Sequence, residues 1–530
     1  MDLIIKEKQY LKNDKKYVKL KIINNSDNLI TKIKIKTSNE EKIIDVMLYP
    51  NHQIKQIIET NESPTIEILE ENEIKDRKKA IDMTNGNIKK KMILFAIPIF
   101  LSALLQSLYN SIDSLIVGKF IGKEALAAVS SSGNLIFLFT SFFLGASQGA
   151  GVLIAKLFGA KQFKNMSKAI HTNVTIGLIS SLILTILGVS LTPQILRLMK
   201  TDPTVLPKSI DYFRFYFIGC TGIIMYNVLS GILNAVGNSN KPLIFLGISS
   251  VLNVLLDLFF IGLLKQDVRF AAIATTISQF VSAILCLIYL TNVKSSYHLS
   301  FNRLELDKEK VKEILYYGIP TGLQNSVIGL ANVFVQSNIN TFGPDAMAGC
   351  GAYAKVENFV FVPITSFTMA ISTFVGQNLG AKEYDRAKQG SRFGIICAMI
   401  MASIFGIILF SFAPFFINLF VDEEEMEVIR IGVLYSRITS PFFFLLAFSH
   451  SVASVCRGSG RPIIAMAVML FIWCVVRVTY IYIALSISHQ IILVFIAYPI
   501  TWFISSIIYL IYYFKADWIH NFERKEKSLN

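Results

Sequence analysis

The sequence predicts an α-helical integral membrane protein of twelve transmembrane helices in two six-helix lobes, preceded by a small N-terminal β domain. Composition is the first ground. Of the 530 residues, 53% are hydrophobic and only 17% charged, where a soluble chain carries about 25% charged; the mean hydropathy is +0.52. The second ground is a series of apolar segments centred near residues 105, 138, 182, 222, 253, 280, 327, 361, 405, 442, 474 and 501. A bilayer takes about 20 helical residues at about 1.5 Å each, and several segments are longer, as in tilted or bent helices. The third ground is an internal repeat. LFGAKQFKNMSKA at 157–169 returns as NLGAKEYDRAKQG at 378–390, and IGKEALAAV at 121–129 as FGPDAMAGC at 342–350, both 221 residues later. GNSNKP at 237–242 returns as GSGRP at 458–462, and IP at 97–98 as IP at 319–320. Six segments followed by six in the same orientation make a parallel repeat about an axis along the membrane normal, a plan common among secondary transporters.

Residues 1–78 differ in kind from the rest. Val18, Leu20 and Ile22 alternate with Lys19 and Lys21, and Ile33 and Ile35 with Lys32, Lys34 and Lys36. Period two between turn clusters (NNSDN, TSNEE, YPNHQ, TNESP) predicts four or five short antiparallel strands in a small cytoplasmic sheet or sandwich. No catalytic or metal-binding spacing occurs there, so the segment reads as a docking or regulatory accessory or a lineage-specific extension. Residues 79–91 form a basic linker; 92–292 are the first lobe, 293–312 an inter-lobe loop, 313–515 the second lobe and 516–530 a tail.

Basic residues orient the chain. With the tail inside, inner loops hold Lys156, Lys161, Lys164 and Lys168, then Lys294, Arg303, Lys308, Lys310 and Lys312, then Lys382, Arg386, Lys388 and Arg392. The opposite loops include TFGPDA and VDEEEME. Both termini are therefore expected in the cytoplasm. The net charge of +14 follows this loop pattern and does not point to nucleic acid. MDLIIKEKQY has no apolar h-region, so no cleaved signal peptide is expected. The six cysteines lie singly in apolar runs, without the spacing of metal ligands or a disulfide framework.

One acid stands where a membrane helix disfavours it. Asp113 lies inside the first apolar run, and an acid at that depth costs about 2.5–3.5 kcal/mol on insertion scales. Gln106, Asn110 and Asp113 are spaced i, i+4, i+7 and share a helical face. That face is either interhelical glue or part of an ion site. The fifth segment offers a partner, Asn253 and Asp257, one turn apart. Asp113 and Asp257 fall at matched depth, about 10–14 Å below the outer surface at about 1.5 Å per residue. The repeat places Phe334 or Val335 opposite Asp113, and Trp473 and Arg477 opposite Asn253 and Asp257, so the second half lacks the acids.

NSIDSLIVGKFIGKEALAAV, GASQGAGVLIAKLFGAK, LNAVGNSNKPL, LNVLLD and FVGQNLGAKEYDRAK together resemble the multidrug and toxic compound extrusion (MATE) transporters over about residues 84–515, the N-terminal segment excluded. The resemblance implies two six-helix lobes, a rocker-switch cycle, and efflux of organic cations or drugs against H⁺ or Na⁺ in the inner membrane of a bacterium. It carries a cation-coupling role onto Asp113, Asn253 and Asp257, and a sixth-helix hydroxyl onto Thr275. Were Na⁺ the ion, Asp113, Asp257 and Asn253 would ligate it. Acids of the second lobe, used in the NorM-type branch, are absent apart from Glu357.

Gln106, Asn110, Gln279, Gln324, Asn325 and Arg477 are candidate lining residues of a substrate cavity. Arg477 is expected to serve a structural ion pair, with Glu357 within reach, or to be a solvated head group, or else to move as a gating charge. Lys355 and Glu357 read as flanking a helix start, and His450 as a satisfied interhelical hydrogen-bonder. Gly145, Gly149 and Gly151 allow close helix approach. No HExxH, GxSxG or nucleotide loop occurs, so no enzyme and no cofactor beyond the coupling ion are expected. The partners expected are small organic cations or drugs and the lipid bilayer, with the chain monomeric. The rivals are a lipid-linked oligosaccharide flippase, which wants a cationic cavity for a diphosphate, and a membrane sensor signalling through residues 1–78.

Overall fold

The computed structural model describes residues 3–12, 15–24, 29–36, 41–48, 53–59, 65–72, 81–121, 123–198, 206–421 and 425–524. Before the helices stand six strands, where the alternation predicts four or five: β1 (Leu3–Lys12), β2 (Lys15–Asn24), β3 (Leu29–Lys36), β4 (Glu41–Leu48), β5 (Gln53–Glu59) and β6 (Thr65–Asn72). They pair antiparallel in two three-stranded sheets, β1-β2-β5 and β4-β3-β6. Ile33 and Ile35, two apart on the central strand β3, are both buried, as a period-two pattern requires.

The described residues that follow are mostly helical. The first half holds α1 (Ile88–Phe120), α2 (Lys123–Gly159), α3 (Phe163–Leu198), α4 (Leu206–Ile218), α5 (Cys220–Ala235), α6 (Asn240–Asp257) and α7 (Arg269–Asn292). The second holds α8 (Lys308–Ile339), α9 (Pro344–Gly380), α10 (Tyr384–Ser411), the short α11 (Ala413–Asn418), α12 (Met426–Thr439), α13 (Phe443–Gly458), α14 (Pro462–Met469), α15 (Arg477–Ile487) and α16 (Ile491–Lys515). Among the described residues ten runs are long and apolar enough to cross a membrane, or eleven when α4 and α5, bent by 44° around Gly219, count as one span. The twelfth predicted segment, α8, is helical but falls short of that apolarity, because Gln324 and Asn325 interrupt its middle.

The two halves meet backbone to backbone at one end, the end bearing the basic turns. A Cβ on Gly159 of α2 would lie 1.9 Å from the Gln377 carbonyl oxygen of α9, and one on Gly380 of α9 would lie 2.1 Å from the Lys156 carbonyl oxygen of α2. Gly159 and Gly380, like Lys156 and Gln377, are repeat equivalents 221 residues apart. The contact is thus reciprocal, as a pseudo-two-fold axis demands. Further along, Gly149 of α2 would carry a Cβ 2.2 Å from the Tyr317 oxygen of α8. Only glycine permits these approaches. Lys161 and Lys382, in the turns after α2 and α9, share a positive φ of 55° and 62°. The turns after α5 and α13 do so through Gly237 and Gly460 (φ 87° and 83°), which corrects the sequence register that set Gly237 against Gly458.

The connector between the halves is docked rather than loose. Lys168 Nζ of α3 meets Asp307 Oδ2 at 2.9 Å, and the Ser300 amide donates to His171 Nε2 at 3.0 Å. Asp307 also caps α8, accepting from the amides of Glu309 and Lys310 at 3.1 Å each. Lys168 and the Lys310 amide hold its carboxyl below the usual carboxylate range. Since the folded-state value is the lower one, the tie is intact above about pH 4 and fades only as acid protonates the folded carboxyl. Asp307→Ala is expected to lower stability by about 1–2 kcal/mol at neutral pH, with Asp307→Ser recovering the capping share. Thermal unfolding in detergent measures both.

Candidate functional site

Three helices of the first half each contribute a pair of polar side chains one turn apart. α1 presents Tyr109 and Asp113, α6 presents Asn253 and Asp257, and α7 presents Thr275 and Gln279. The i, i+4 spacing stacks each pair on one face, and all six side chains are buried. One rung joins each pair of helices. Gln279 Nε2 donates to the Tyr109 hydroxyl at 3.0 Å between α7 and α1. Asn253 Nδ2 donates to Thr275 Oγ1 at 3.4 Å between α6 and α7. Between α1 and α6, the carboxyls of Asp113 and Asp257 lie within interaction range of each other.

This last rung differs from the others. Two carboxylates have no proton between them and offer each other only acceptors. Asp113 Oδ1, both oxygens of Asp257 and Asn253 Oδ1 are buried without a hydrogen-bond partner among the described residues. No Lys or Arg side chain among those residues lies within 4.0 Å of either acid. Asp257 is 0% and Asp113 8% exposed. Buried polar atoms are ordinarily bonded, and buried charges paired. The arrangement therefore suits a positive occupant, either a proton shared between the acids or a small hard cation held by oxygens of Asp113, Asp257, Asn253 and Thr275.

The surroundings close it in. On the side away from the basic turns, Ile116, Val117, Tyr212, Ile261, Val268 and Ala271 form a compact apolar cluster. On another side, Ser249, Ser250 and Ser278 join Tyr109, Asn253, Thr275 and Gln279 around a narrow polar gap. α6 runs straight into a π-helical turn, Leu258–Leu263, immediately after Asp257. Such turns are rare and tend to mark functional positions.

The structure redistributes the other sequence candidates. Gln106 and Asn110 are exposed, so the buried face of α1 at Asp113 is shared with Tyr109 rather than with them. Gln279 belongs to the acid cluster through Tyr109. Gln324 and Asn325 do not share one wall: Gln324 accepts from Arg457 at 3.3 Å inside the second half, while Asn325 donates across to the Ser141 carbonyl at 3.5 Å. Tyr109 was not marked by the sequence. An aromatic within an apolar run carries no sign of its partner 170 residues away.

In the second half the repeat position of Asp257 holds Arg477, which follows a π-helical turn, Leu470–Val476. The expected ion pair with Glu357 is not formed within 4.0 Å among the described residues. Arg477 is buried (2% exposed) and donates to Thr501 Oγ1 at 2.8 and 3.2 Å. Its guanidinium lies 4.3 Å from the Tyr498 ring centroid and 5.3 Å from that of Trp473, so aromatic faces take the place of an acid. Glu357 accepts instead from Tyr353 at 3.2 Å. It and Lys355 sit well inside α9, not at a helix start. His450 Nε2 has no partner among the described residues; its ring packs edge-on against Trp473 and Phe361.

Tyr109→Phe removes the hydroxyl that Gln279 donates to and leaves a buried amide short of a partner, at about 1–3 kcal/mol. Thermal unfolding is expected to fall by that amount, while the double change Tyr109→Phe with Gln279→Leu recovers part of it.

A family model described as MatE matches residues 98–259 and again residues 320–483, once in each half. A probable multidrug resistance protein, YoeA of Bacillus subtilis, is 30% identical over 440 residues, covering 81% of this chain and 94% of its own length. Another, YpnP of the same organism, is 27% identical over 400 residues, 75% of this chain and 89% of that protein. Among solved structures, a MOP superfamily transporter from Pyrococcus furiosus superposes with a TM-score of 0.78 at 23% identity, covering 82% of this chain and 97% of the other. With its family match in both halves and relatives covered almost end to end, the chain belongs to the MatE family of multi-pass membrane transporters and is not an enzyme.

Proposed function

We propose that this protein is a secondary active exporter of drug-like organic molecules, organic cations among them, driven by antiport of a cation through the first lobe. The observation that carries the reading is the Asp113–Asp257 pair, buried and adjoining with three oxygens unpartnered and no basic residue beside it among the described residues. The names of the Bacillus subtilis relatives support export of drugs. In this reading α8 supplies the twelfth span, giving six helices per lobe, and the strands of residues 3–72 form a cytoplasmic accessory unit. The basic turns face the cytoplasm with both termini, and the protein works as a monomer in a bacterial inner membrane without a further cofactor.

The coupling ion is the proton more than Na⁺. Two carboxyls side by side in a low-dielectric site repel, and one shared proton relieves that repulsion while filling the missing hydrogen bond. Hard cations take about six or more oxygens near 2.4 Å, so Asp113, Asp257, Asn253 and Thr275 would need backbone carbonyls or water to complete a Na⁺ shell. A flippase for a diphosphate-bearing lipid is the weaker reading, since Arg457 and Arg477 are both engaged, Arg457 by Ser454 and Gln324 and Arg477 by Thr501 and aromatic rings.

Asp113→Asn and Asp257→Asn are each expected to reduce gradient-driven dye efflux to the level without a gradient, at normal membrane abundance. The double variant should be no worse than either, since both acids serve one site; a clearly additive loss argues for two. In Na⁺-free everted vesicles an acid lumen should suffice to drive transport. Transport absent there and restored by a Na⁺ gradient at constant pH overturns the proton assignment. A chain shortened to begin at Ile81 should retain efflux, and its complete loss at normal abundance would make the N-terminal strands part of the mechanism.

A further inference from the structure

The segment just ahead of α1, expected to be a plain basic linker, is built into the junction of the two lobes. Its own turn is pre-formed. Asp82 Oδ1 accepts from the Thr84 amide at 2.9 Å and its hydroxyl at 2.6 Å, and Lys91 Nζ donates to the Asp82 carbonyl and to Asn85 Oδ1 at 2.5 and 2.7 Å. Asn87 caps α1 through the Lys90 amide. Toward the first lobe, the Ile81 amide donates to the Gly237 carbonyl at 3.0 Å. Gly237 permits that approach, since a Cβ there would sit 2.3 Å from the Ile81 oxygen.

Toward the second lobe the ties are denser. Met83 is 0% exposed. Its amide donates to Gln377 Oε1 at 3.1 Å, and its carbonyl accepts from Asn378 Nδ2 at 3.2 Å and Arg386 Nε at 2.9 Å. The same guanidinium donates to the carbonyls of Gly86 at 2.7 Å and Asn85 at 2.5 Å. Gln377 then reaches back to the first lobe, donating to the Ala235 carbonyl at 2.8 Å. Met83 is thus a buried keystone between the end of α5 and the α9–α10 turn. A lysine is a poor replacement for Arg386, because its single nitrogen cannot stand at the three separate positions, Nε and the two terminal nitrogens, from which the guanidinium reaches these carbonyls.

We infer that residues 81–87 are a latch that holds the lobes together at the basic end and must let go for that end to open. The inference rests on the transporter reading above and on the rocker-switch cycle that the family resemblance implies, in which the two lobes part at that end. Interactions made in one state and absent from the other bias the equilibrium toward the first. The latch also gives the N-terminal residues a handle on the cycle, because the chain enters the membrane part through it.

The test reads lobe separation in the full chain. Spin labels go on Asn165→Cys and Asp385→Cys, exposed positions at the basic ends of α3 and α10, with Cys397 and Cys474 replaced. Distances are expected to form one short population, and Arg386→Ala and Arg386→Lys should each add a longer one. An unchanged distribution in both, or Arg386→Lys behaving as the parent, overturns the latch. A second arm leaves the Gln377, Asn378 and Arg386 side chains in place: Asn85→Cys with Glu383→Cys, exposed positions on the latch segment and at the start of α10, bridged by a short thiol crosslinker, should lose efflux and regain it when a cleavable linker is cut. Undiminished efflux in the bridged protein overturns the inference. Absence of efflux from the parent itself would fault the transporter reading, whereas normal efflux with unaltered distances faults the latch alone.

Discussion

The first lobe is organised around two carboxyls that have only each other. In a low-dielectric interior an unpaired charge is costly, and a pair of like charges more so. In the proposed function, Asp113 and Asp257 are tolerable because a positive occupant would complete the site that the helices around them hold. The Tyr109–Gln279 and Asn253–Thr275 rungs fix α1, α6 and α7 in register. The apolar cluster at Ile116 and Ile261 keeps that register dry on one side. A side chain placed by packing and a site completed from outside are the two halves of one arrangement.

The second lobe repeats the scaffold and discards the chemistry. Where the first lobe has Asp257 it has Arg477, and its charge is met within the lobe by Tyr498, Trp473 and Thr501. Aromatic faces need no titratable partner, so this position stays satisfied whatever happens in the first lobe. A π-helical turn adjoins both residues, after Asp257 and before Arg477. The repeat has therefore kept an irregular helix at both sites while reversing the sign of the charge it carries.

Between the lobes the contact is main chain on main chain. Gly159 against Gln377 and Gly380 against Lys156 bring backbones closer than any side chain allows, and the Met83 keystone adds hydrogen bonds from both lobes to one short segment. Packing of this kind is either engaged or broken, with little between. In the proposed transport cycle, a short seam of this kind is where the two lobes would part for alternating access.

By itself the sequence determined the membrane class, the helical tracts, the two-fold internal plan and the two acids, because these rest on apolar length, on period and on charge at depth, all local in the chain. It also singled out Asn253 as Asp257's neighbour one turn away. Only the tertiary structure decided what meets what. Tyr109 finds Gln279, Gln324 parts from Asn325, and Glu357 turns to Tyr353 rather than to Arg477, because long-range pairing depends on how helices are rotated about their axes. The register of Gly237 with Gly460 followed from backbone dihedrals, not from letters. The segment before α1 reads as a charged linker until Gln377, Asn378 and Arg386, about 300 residues downstream, are folded onto it. A hydrogen bond to a main-chain carbonyl leaves no mark on the residue that supplies the carbonyl, and that is why the seam was invisible in one dimension.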